Sequence, residues 1–501
     1  MIYIFNPYYT LKKDIDRVLL MNSPGFKIPE EKAEDGIISF IHPIYAVILS
    51  YFNGELSYEK TIEKIANDFS ENIETIKKIT DVFIENEDEI TFEYENNFFG
   101  FPKKMLVKID DYKEKKRPNY NPYDFYLDTE DYDFKTQRLK TSPSEIRILV
   151  NTECASDCIY CYVDRRVKDT CKIPIERIVE LIEESKKLGV TTFDIAGTEI
   201  FLYKYWDVLV ENLIHNGYYP YLSTKIPIGE KIINRLIEIG IKDIQISIDS
   251  LIDEEVEKVD KFKITSYSEK ILKTLKQIEE AGLNVAINTV ITKYNSTIEG
   301  IDFMLNKLNQ FGNIEIVTIN IGETSVYKTE EEFANFKTLL NDINKIEEYY
   351  IKNRNNFNFK LELAGYTRKE DFYADPKVKK ERFEQRSLCT AGIRQICILP
   401  DGKVTGCEEL YWHPQFIMGN VIHNTLEEIW NSDKAVNFNN LSREMFSDDS
   451  FCKTCYNFEK CRMGAGICYS DVISVYGKNN WDFPAPECPK APVPKFITYF
   501  E

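Results

Sequence analysis

Three cysteines stand close together in the stretch from Asn151 to Arg166, NTECASDCIYCYVDRR. Cys154, Cys158 and Cys161 have the spacing Cys-x3-Cys-x2-Cys, one ligand short of a closed metal site. Three thiolates can hold three irons of a four-iron cluster and leave the fourth iron open for a non-protein ligand. A zinc site is the alternative, but structural zinc sites are normally closed by four ligands, and no histidine lies nearby.

The remaining cysteines are unevenly placed along the chain. None of the twelve precedes Cys154, Cys171 lies ten residues beyond the triplet, and eight follow in the last quarter. These eight are Cys389, Cys397, Cys407, Cys452, Cys455, Cys461, Cys468 and Cys488. In a reducing compartment, clustered thiols usually bind metals or take part in catalysis. Eight thiols make two closed sets of four, which suits two further iron–sulfur clusters or, as the alternative, two zinc knuckles.

Composition limits the classes of protein to consider. The chain has 501 residues, which predicts two or three domains, and 43% hydrophobic and 13% aromatic residues, which favours folded domains. Its formal net charge of −19 disfavours nucleic acid as a partner. We find no basic start followed by an apolar run, and no eighteen apolar residues together. The sequence therefore predicts a cytoplasmic protein without a membrane partner.

The first 110 residues predict a small separate domain. A hairpin over YYTLKKDIDRVLLMN is followed by three segments of helical spacing and by a strand pair around EITFEYENNFFGF. This order resembles the winged-helix unit that peptide-modifying enzymes use to recognise a leader peptide. A winged helix that binds DNA is the alternative, and the acidic composition disfavours it. Residues 111–143 mix charges, tyrosines and prolines without a period, which indicates a linker.

From residue 144 to residue 321, short apolar strands alternate with amphipathic helices. Six strand and helix pairs in succession predict a parallel sheet, so we expect an α/β fold with a partial (β/α)6 TIM barrel. Cys154, Cys158 and Cys161 follow the first strand, at the end where barrels carry their chemistry. Residues 322–386 predict a helical bridge to a cysteine-rich domain at 387–501.

The triplet after strand one, with aromatic Tyr160 before its last cysteine, resembles the radical SAM superfamily. The resemblance implies a 4Fe-4S cluster on Cys154, Cys158 and Cys161, whose open iron binds S-adenosylmethionine. In that family, electron transfer from the cluster cleaves the cofactor to a 5′-deoxyadenosyl radical, which abstracts hydrogen from a substrate. The resemblance leaves Cys171 unused, and we expect it to be a buried small hydrophobe.

Polar residues that close later strands are candidates to bind the cofactor. With Tyr160 they are Gly197, Glu199, Ser223, Lys225, Ser247, Asp249, Asn288 and Thr289. Gly197 and Glu199 fit the family's Gly-Gly-Glu pattern, whereas Thr198 departs from it. The Glu199 carboxylate suits the cofactor's ammonium group. A polar residue at a strand end often only caps a helix or forms a turn, so no single one of these residues identifies a cofactor site. The placement of all of them at strand ends supports the prediction.

The eight C-terminal cysteines, with MGNVIHNTLEEIWNS between them, resemble the SPASM extension of radical SAM enzymes. The resemblance implies two auxiliary 4Fe-4S clusters, and therefore three in the whole chain. One would be held by Cys389, Cys397, Cys407 and Cys468, and the other by Cys452, Cys455, Cys461 and Cys488. The gap before Cys468 is six residues where the family usually has three. A free iron at the first auxiliary cluster is the alternative if Cys468 does not reach it.

These resemblances imply a radical SAM peptide maturase. We expect it to bind the leader of a ribosomally made precursor peptide on its N-terminal domain and to install a crosslink, with a cysteine thioether as the expected product, as in sactipeptides and ranthipeptides. A reducing donor such as flavodoxin or ferredoxin would supply electrons. An anaerobic sulfatase-maturing type of enzyme is one alternative, and a non-catalytic zinc-binding DNA regulator is another.

Overall fold

The computed structural model describes most of the chain. The described residues are 1–23, 29–94, 97–112, 119–127, 131–163, 171–262, 264–323, 325, 327–364, 376–386, 388–410, 413–459, 461–462 and 466–492. The fold is mixed α/β and divides into two compact units. The first comprises Met1–Glu145 with Glu184–Thr192, and the second comprises Ile146–Glu183 with Phe193–Glu501.

The first unit begins with strands and continues with three helices and a second group of strands. In chain order these are β1 (Tyr3–Phe5), β2 (Tyr9–Lys13), β3 (Val18–Asn22), β4 (Ile38–Ile41), α1 (Pro43–Ser50), α2 (Tyr58–Phe69), α3 (Ile73–Asp81), β5 (Ile90–Tyr94), β6 (Asn97–Phe101) and β7 (Leu106–Lys108). Strands β2, β3 and β4 form one antiparallel sheet, β5 pairs with β6, and β1 pairs with β7. The predicted hairpin, three helices and strand pair are present, while the winged-helix assignment stays a prediction.

Side-chain caps explain where two of these helices begin. Ser57 accepts a hydrogen bond from the Lys60 backbone N–H at the start of α2, and Asn72 accepts one from Glu74 at the start of α3. Such caps satisfy backbone donors that the first turn of a helix leaves unpaired. The apolar faces of the helices pack with β2, β3 and the aromatic residues of β6 in one core.

Arg17, in the turn between β2 and β3, fastens the predicted linker to the hairpin. Its side chain is fully buried and pairs with Asp14, with Nε 3.2 Å from the carboxylate. The guanidinium also donates to the backbone carbonyls of Asp133, Thr136 and Arg138. The described part of the linker is therefore held by a buried cation whose donors are largely satisfied, as buried charges require.

We expect Arg17→Met to release this segment, because Asp14 loses its buried cation and three carbonyls lose their donor. Breaking a buried pair costs about 3–5 kcal/mol. Hydrogen-exchange mass spectrometry should show faster exchange over residues 131–142. The matched control is Lys64→Met, which removes an exposed pair with Asp68 and should change stability by less than about 1 kcal/mol. Unchanged exchange in the Arg17 variant would contradict the proposed role.

The second unit, which shares β8, α4 and β9 with the first at its boundaries, contains the alternating strands and helices. These are β8 (Glu145–Ile148), α4 (Ile175–Lys187), β9 (Thr192–Ile195), α5 (Trp206–His215), β10 (Ser223–Thr224), α6 (Glu230–Ile239), β11 (Asp243–Ser247), α7 (Asp253–Val259), α8 (Tyr267–Glu280), β12 (Asn284–Ile291), α9 (Ile298–Leu308) and β13 (Ile314–Ile321). The six predicted strands and the helices predicted between them are thus present in the predicted order, and α7 is an additional short helix after β11.

The strands of this unit belong to two sheets. Strands β10, β11, β12 and β13 are parallel neighbours in sequence order, and apolar residues from them and their helices form a large core. Strands β8 and β9 belong to another sheet, beside strands of the cysteine-rich region. Parallel strands joined by helices are the arrangement that the sequence predicts, while closure into a partial barrel stays a prediction.

The region 322–386 contains a strand that the sequence analysis does not predict. Its described elements are α10 (Glu330–Ala334), α11 (Leu340–Asn353), β14 (Lys360–Ala364) and α12 (Pro376–Gln385). Strand β14 pairs in parallel with β13, so the expectation of a purely helical bridge is wrong. Leu361 is buried and Leu363 packs on the core, so alternate apolar residues of KLELA face the sheet's interior. Five residues are too few for that alternation to stand out among charged helices.

The cysteine-rich region is built from short elements. They are β15 (Gln395–Ile398), β16 (Lys403–Thr405), β17 (Gly419–Asn420), α13 (Leu426–Trp430), α14 (Asp433–Val436) and α15 (Tyr469–Tyr476). The sheet order is β17, β16, β15, β8, β9, so this region continues the sheet that carries the first strand of the α/β part. Within the described ranges, no helix is long and apolar enough to cross a membrane.

Candidate active site

One cavity of about 600 Å³ gathers the three cysteines of the loop after β8 and most of the predicted cofactor contacts. Small-molecule sites usually measure roughly 300–1,000 Å³, so its size suits a ligand of that class. Its lining includes Cys154, Cys158, Tyr160, Cys161, Gly197, Glu199, Ser223, Lys225, Ser247 and Asn288. These residues lie at or just beyond the carboxyl ends of β8, β9, β10, β11 and within β12, which is where parallel α/β folds place their chemistry.

The three cysteines of the loop after β8 meet at this cavity. The sulfur of Cys154 lies 3.3 Å from the hydroxyl oxygen of Ser156, and the sulfur of Cys158 lies 3.2 Å from the same oxygen. Burial raises the pKa of the Cys158 thiol, which donates to Asp260 at 3.3 Å. Thiolates are the ligands that iron–sulfur clusters take, so this donor set fits a cluster that binds with release of the thiol proton.

Lys225, directly after β10, joins the cavity to a buried acidic pair. Its ammonium lies 2.5 Å from Asp249 and 2.7 Å from Asp260, and donates to the hydroxyl of Tyr160 at 2.6 Å. The side chains of both aspartates are at most 1% exposed. The hydroxyl of Tyr160 donates to Asp249, so Tyr160 also belongs to this network.

The charges of this network depend on one another. Burial alone would lower the pKa of Lys225, but the carboxylates of Asp249 and Asp260 outweigh it and raise that pKa well above its ordinary value. Burial, followed by the charge of Asp249, raises the pKa of Asp260. Lys225 is therefore the cation that makes two adjacent buried carboxylates tolerable.

Glu199 is held in place by the residues that end β10. Its two carboxylate oxygens accept from the Thr224 hydroxyl at 2.9 Å, and one accepts from the Lys225 backbone N–H at 3.1 Å. Burial raises its pKa, and these hydrogen bonds partly oppose that effect. One of its oxygens also accepts from the Phe201 backbone N–H at 3.3 Å, so neighbouring groups of the protein use the acceptor positions of this carboxylate.

Gly197 occupies a backbone conformation that suits glycine. Its φ is +96°, and a Cβ at this position would lie 2.9 Å from Cγ of Leu149. Both the left-handed backbone and the close approach exclude larger side chains without strain. Beside it, the Thr198 hydroxyl donates to the Asn151 carbonyl at 2.7 Å. The residue that departs from the family pattern is therefore hydrogen-bonded to the loop that follows β8.

Two predicted cofactor contacts lie behind the cavity wall. Asp249 and Thr289 are 2% and 0% exposed and are not part of the lining. Asp249 accepts from Lys225, Tyr160 and the Val290 backbone N–H, and the Thr289 hydroxyl donates to the Ile248 carbonyl. Neighbouring groups take the polar atoms of these two side chains, so the structure does not bring them to the cavity, and their role as cofactor contacts stays a prediction.

Sequence reasoning missed several residues of the lining. Arg147 in β8, Asp194 in β9, Gln245 in β11 and Glu408 all face the cavity, and Arg147 pairs with Glu408. Burial raises the pKa of Asp194, which accepts from a backbone N–H at 3.1 Å. A charged residue inside an otherwise apolar strand was the available signal for Arg147 and Asp194. Glu408 had none, because it reaches the cavity only through tertiary packing.

The first predicted auxiliary set has acidic neighbours. A hydrogen bond joins the thiols of Cys389 and Cys468 and lowers the pKa of Cys468 to about 6. Cys407 interacts electrostatically with Cys468, and Cys397 with Cys407. Burial, followed by the charge of Glu408, raises the pKa of both Cys397 and Cys407. Cys468 thus lies close enough to contact Cys389.

The second predicted auxiliary set has basic neighbours. Cys461 interacts electrostatically with Cys452 and Cys488, and Cys488 with Cys452 and Cys455. The four thiols are therefore neighbours, as the family arrangement implies. Across the described residues, no three His, Cys, Asp or Glu side chains converge on a single metal-ion position. The assignment of ligands to clusters stays a prediction.

Two family descriptions match the sequence. "Radical SAM superfamily" matches residues 148–308, and "Iron-sulfur cluster-binding domain", the SPASM domain, matches residues 389–456. The protein is therefore an enzyme that contains a radical SAM domain and a SPASM domain. This finding sets aside the non-catalytic zinc-regulator alternative. It supports 4Fe-4S clusters and S-adenosylmethionine as cofactors.

Curated relatives match part of the chain. A probable GTP 3′,8-cyclase of Pyrobaculum aerophilum is 26% identical over 153 residues, which are 30% of this chain and 49% of the relative. One of Archaeoglobus fulgidus is 28% identical over 214 residues, or 42% of this chain and 68% of the relative. The chain thus spans about half the length of the first of these relatives.

A solved structure matches nearly the whole fold. It is that of Streptococcus suis SuiB bound to precursor peptide SuiA, with a TM-score of 0.59 and 14% identity. The match covers 97% of this chain and 99% of that chain. At this identity the likeness concerns the fold alone. It extends well beyond the radical SAM and SPASM regions and includes the N-terminal residues.

Proposed function

We propose that this enzyme is a peptide maturase that crosslinks a ribosomally made precursor. The observation that carries the proposal is the fold match to SuiB over 97% of the chain, since that protein's structure holds a precursor peptide. A peptide substrate with a leader would use a separate folded unit of strands and helices for leader recognition. The first 110 residues supply that unit here, and residues 111–143 are its linker to the catalytic domain at 144–321.

The cavity supplies the cofactor site of this proposal. Cys154, Cys158 and Cys161 would hold one 4Fe-4S cluster, and Glu199 would bind the ammonium group of S-adenosylmethionine. When bound, the cluster supplies the electron that cleaves the cofactor to a 5′-deoxyadenosyl radical. Gly197 lets the backbone of this wall pack closely on Leu149, because a Cβ there would lie 2.9 Å from that side chain.

The remaining lining would orient the cofactor and the peptide. Ser223 donates to Gln245, which donates to Ser247 at 3.0 Å, so these polar groups form one chain across β10 and β11. Asn288 interacts with Tyr221, a further lining residue. Together they present a polar wall of fixed geometry beside Lys225, which suits a ligand rich in hydroxyl and carboxylate groups.

Two auxiliary clusters in the region 387–501 complete the proposed machinery. Cys389, Cys397, Cys407 and Cys468 would hold the first, and Cys452, Cys455, Cys461 and Cys488 the second. The contact between Cys389 and Cys468 supports full thiolate ligation of the first cluster. An electron-transfer role then follows, with flavodoxin or ferredoxin as the external donor. Nucleic acid and membrane have no part in this proposal, and the enzyme would act in the cytoplasm.

The leader of the precursor would bind the N-terminal unit by adding a strand to an open sheet edge. Main-chain hydrogen bonds then supply affinity with little demand on side chains. Strands β2 and β4 are the two edges of the three-stranded sheet. The Tyr120 hydroxyl already accepts from the Leu11 backbone N–H on β2, which favours β4 as the binding edge.

Incubation with a short cysteine-bearing peptide encoded beside the gene tests the proposal. With reductant and S-adenosylmethionine under anaerobic conditions, we expect the peptide to lose two hydrogen atoms per thioether, detected by mass spectrometry. The same peptide with its cysteine changed to serine should keep its mass while 5′-deoxyadenosine still forms. Modification of a sulfatase peptide instead would favour the sulfatase-maturing alternative.

Leader binding is tested separately on the full chain, because deletion of the N-terminal unit would also remove contacts that other parts of the fold need. Lys12 donates to the carbonyls of Leu188 and Gly189 at 2.9 and 3.0 Å, so a deletion would also disturb the end of α4. Hydrogen exchange with added leader peptide should show protection within residues 1–110. Protection confined to residues 144–321 would contradict the proposed leader site.

A further inference from the structure

Two arginines contact the second auxiliary set of cysteines. The Nη2 atom of Arg462 lies 3.1 Å from the sulfur of Cys452, and Nη2 of Arg386 lies 3.5 Å from the sulfur of Cys461. Arg462 is 1% exposed, and it also donates to the backbone carbonyls of Asp482 and Phe483. A buried guanidinium is costly unless its donors are used.

Several donors of these arginines have no protein acceptor. Nε and Nη1 of Arg462, and Nε of Arg386, are buried without a hydrogen-bond partner among the residues that the structure describes. Fully buried polar groups are rarely left unpaired. The sulfur atoms of a bound cluster are acceptors of the kind these N–H groups lack, so the arginines fit a cluster at this position.

The aromatic surroundings of Arg462 fix its position. Its guanidinium lies 4.9 Å from the ring centre of Phe446 and 5.8 Å from that of Tyr469. Arg386 stands 3.9 Å from the ring centre of Phe383. Rings on the cation leave it little access to water, which strengthens its electrostatic effect on nearby sulfurs.

The first auxiliary set has the opposite environment. Cys397 and Cys407 interact with the carboxylate of Glu408, and Cys407 and Cys468 also face Glu409. Arg147 is the cation that faces Cys397, and it is paired with Glu408. Hydrogen bonds and positive charge at cluster sulfurs stabilise the reduced cluster, whereas negative charge destabilises it.

We propose that Arg386 and Arg462 hold the second auxiliary cluster at a higher reduction potential than the first. This inference rests on the proposed cluster ligands. With both clusters bound, these arginines would make the second cluster the stronger electron acceptor of the two. The two arginines are positioning residues that act through the cysteines Cys452 and Cys461.

Redox titration monitored by electron paramagnetic resonance tests the inference. The full chain with Cys154, Cys158 and Cys161 changed to alanine leaves only the auxiliary signals. In that background, Arg386→Gln should lower the midpoint potential of one auxiliary cluster by about 59 mV. For a one-electron couple, this shift lowers the ratio of reduced to oxidised cluster about tenfold at a fixed potential. Arg386→Lys, which keeps the charge, should restore most of the shift.

Two further variants make the outcome specific. Arg235→Gln is the matched control, because Arg235 on α6 pairs with Glu211 at 2.9 Å and contacts no cysteine sulfur among the described residues. It should move neither signal. Arg462→Gln should move the same signal as Arg386→Gln, and if that buried variant does not fold, Arg386→Gln alone decides.

Unchanged midpoints in Arg386→Gln, or equal shifts of both signals, would overturn the role of the arginines. Cys488→Ser separates this failure from failure of the ligand assignment. It should alter only the signal that Arg386→Gln shifts. If Cys488→Ser leaves both signals and the iron content unchanged, the second ligand set itself is wrong, and the inference falls with it.

Discussion

The triple variant Cys154→Ala, Cys158→Ala, Cys161→Ala is expected to produce no 5′-deoxyadenosine. The three thiols line the same cavity as Glu199 and Lys225, and the family match at residues 148–308 includes them. Because the auxiliary ligands lie in a different part of the chain, the variant should keep about two thirds of its iron. Iron analysis and chromatography of the cofactor products on anaerobically purified protein measure both quantities.

The matched control for this variant is Cys171→Ala. Cys171 is a cysteine ten residues beyond the triplet, and its thiol lies 3.6 Å from the Ile173 carbonyl. Its removal should leave both the iron content and 5′-deoxyadenosine formation unchanged. Persistent cofactor cleavage in the triple variant would contradict the cluster assignment, and loss of all iron would show that the two regions do not load independently.

Much of the catalytic unit could be predicted from the sequence, because its signals are local. The spacing of Cys154, Cys158 and Cys161 and the alternation of apolar strands with amphipathic helices depend only on neighbouring residues. The same is true of the helix starts, where Ser57 and Asn72 cap their helices. Local chemistry therefore predicted the element order and the position of the cavity at the ends of the strands.

What the sequence did not predict depends on contacts between distant elements. Asp249 closes strand β11 as expected, yet its carboxylate turns to Lys225 and the Val290 backbone instead of the cavity. Glu408 reaches the cavity because β15 pairs beside β8, a neighbour relation that no local pattern encodes. Asp260, which contacts both Cys158 and Lys225, lies at the end of an acidic helix and had no distinguishing feature.

This difference explains why the ligand sets were easier to assign than the cofactor contacts. A cysteine ligand is identified by its type and spacing, since clustered thiols in a reducing compartment have few other uses. A serine or aspartate at a strand end has several uses, and the competing partners decide among them. Thr289 is the example here, because its hydroxyl bonds the Ile248 carbonyl on the next strand.

Lys225→Met is expected to destabilise the strands around the cavity more than any other single change at this site. It leaves Asp249 and Asp260 buried, adjacent and without their cation, and breaking such a pairing costs about 3–5 kcal/mol. Hydrogen exchange of the β11 amides, followed by mass spectrometry of anaerobically purified protein, should be faster than in the wild type.

A second substitution tests whether charge is the reason. Lys225→Met combined with Asp249→Asn removes one of the two carboxylates that Lys225→Met leaves without a cation. The β11 amides of the double variant should therefore exchange more slowly than those of Lys225→Met alone. The matched lysine control is Lys276→Met, because Lys276 is exposed and pairs only with Glu279 on its own helix among the described residues. That change should alter stability by less than about 1 kcal/mol. If the double variant exchanges as fast as Lys225→Met or faster, loss of packing rather than uncompensated charge explains the effect, and the electrostatic role of Lys225 is wrong.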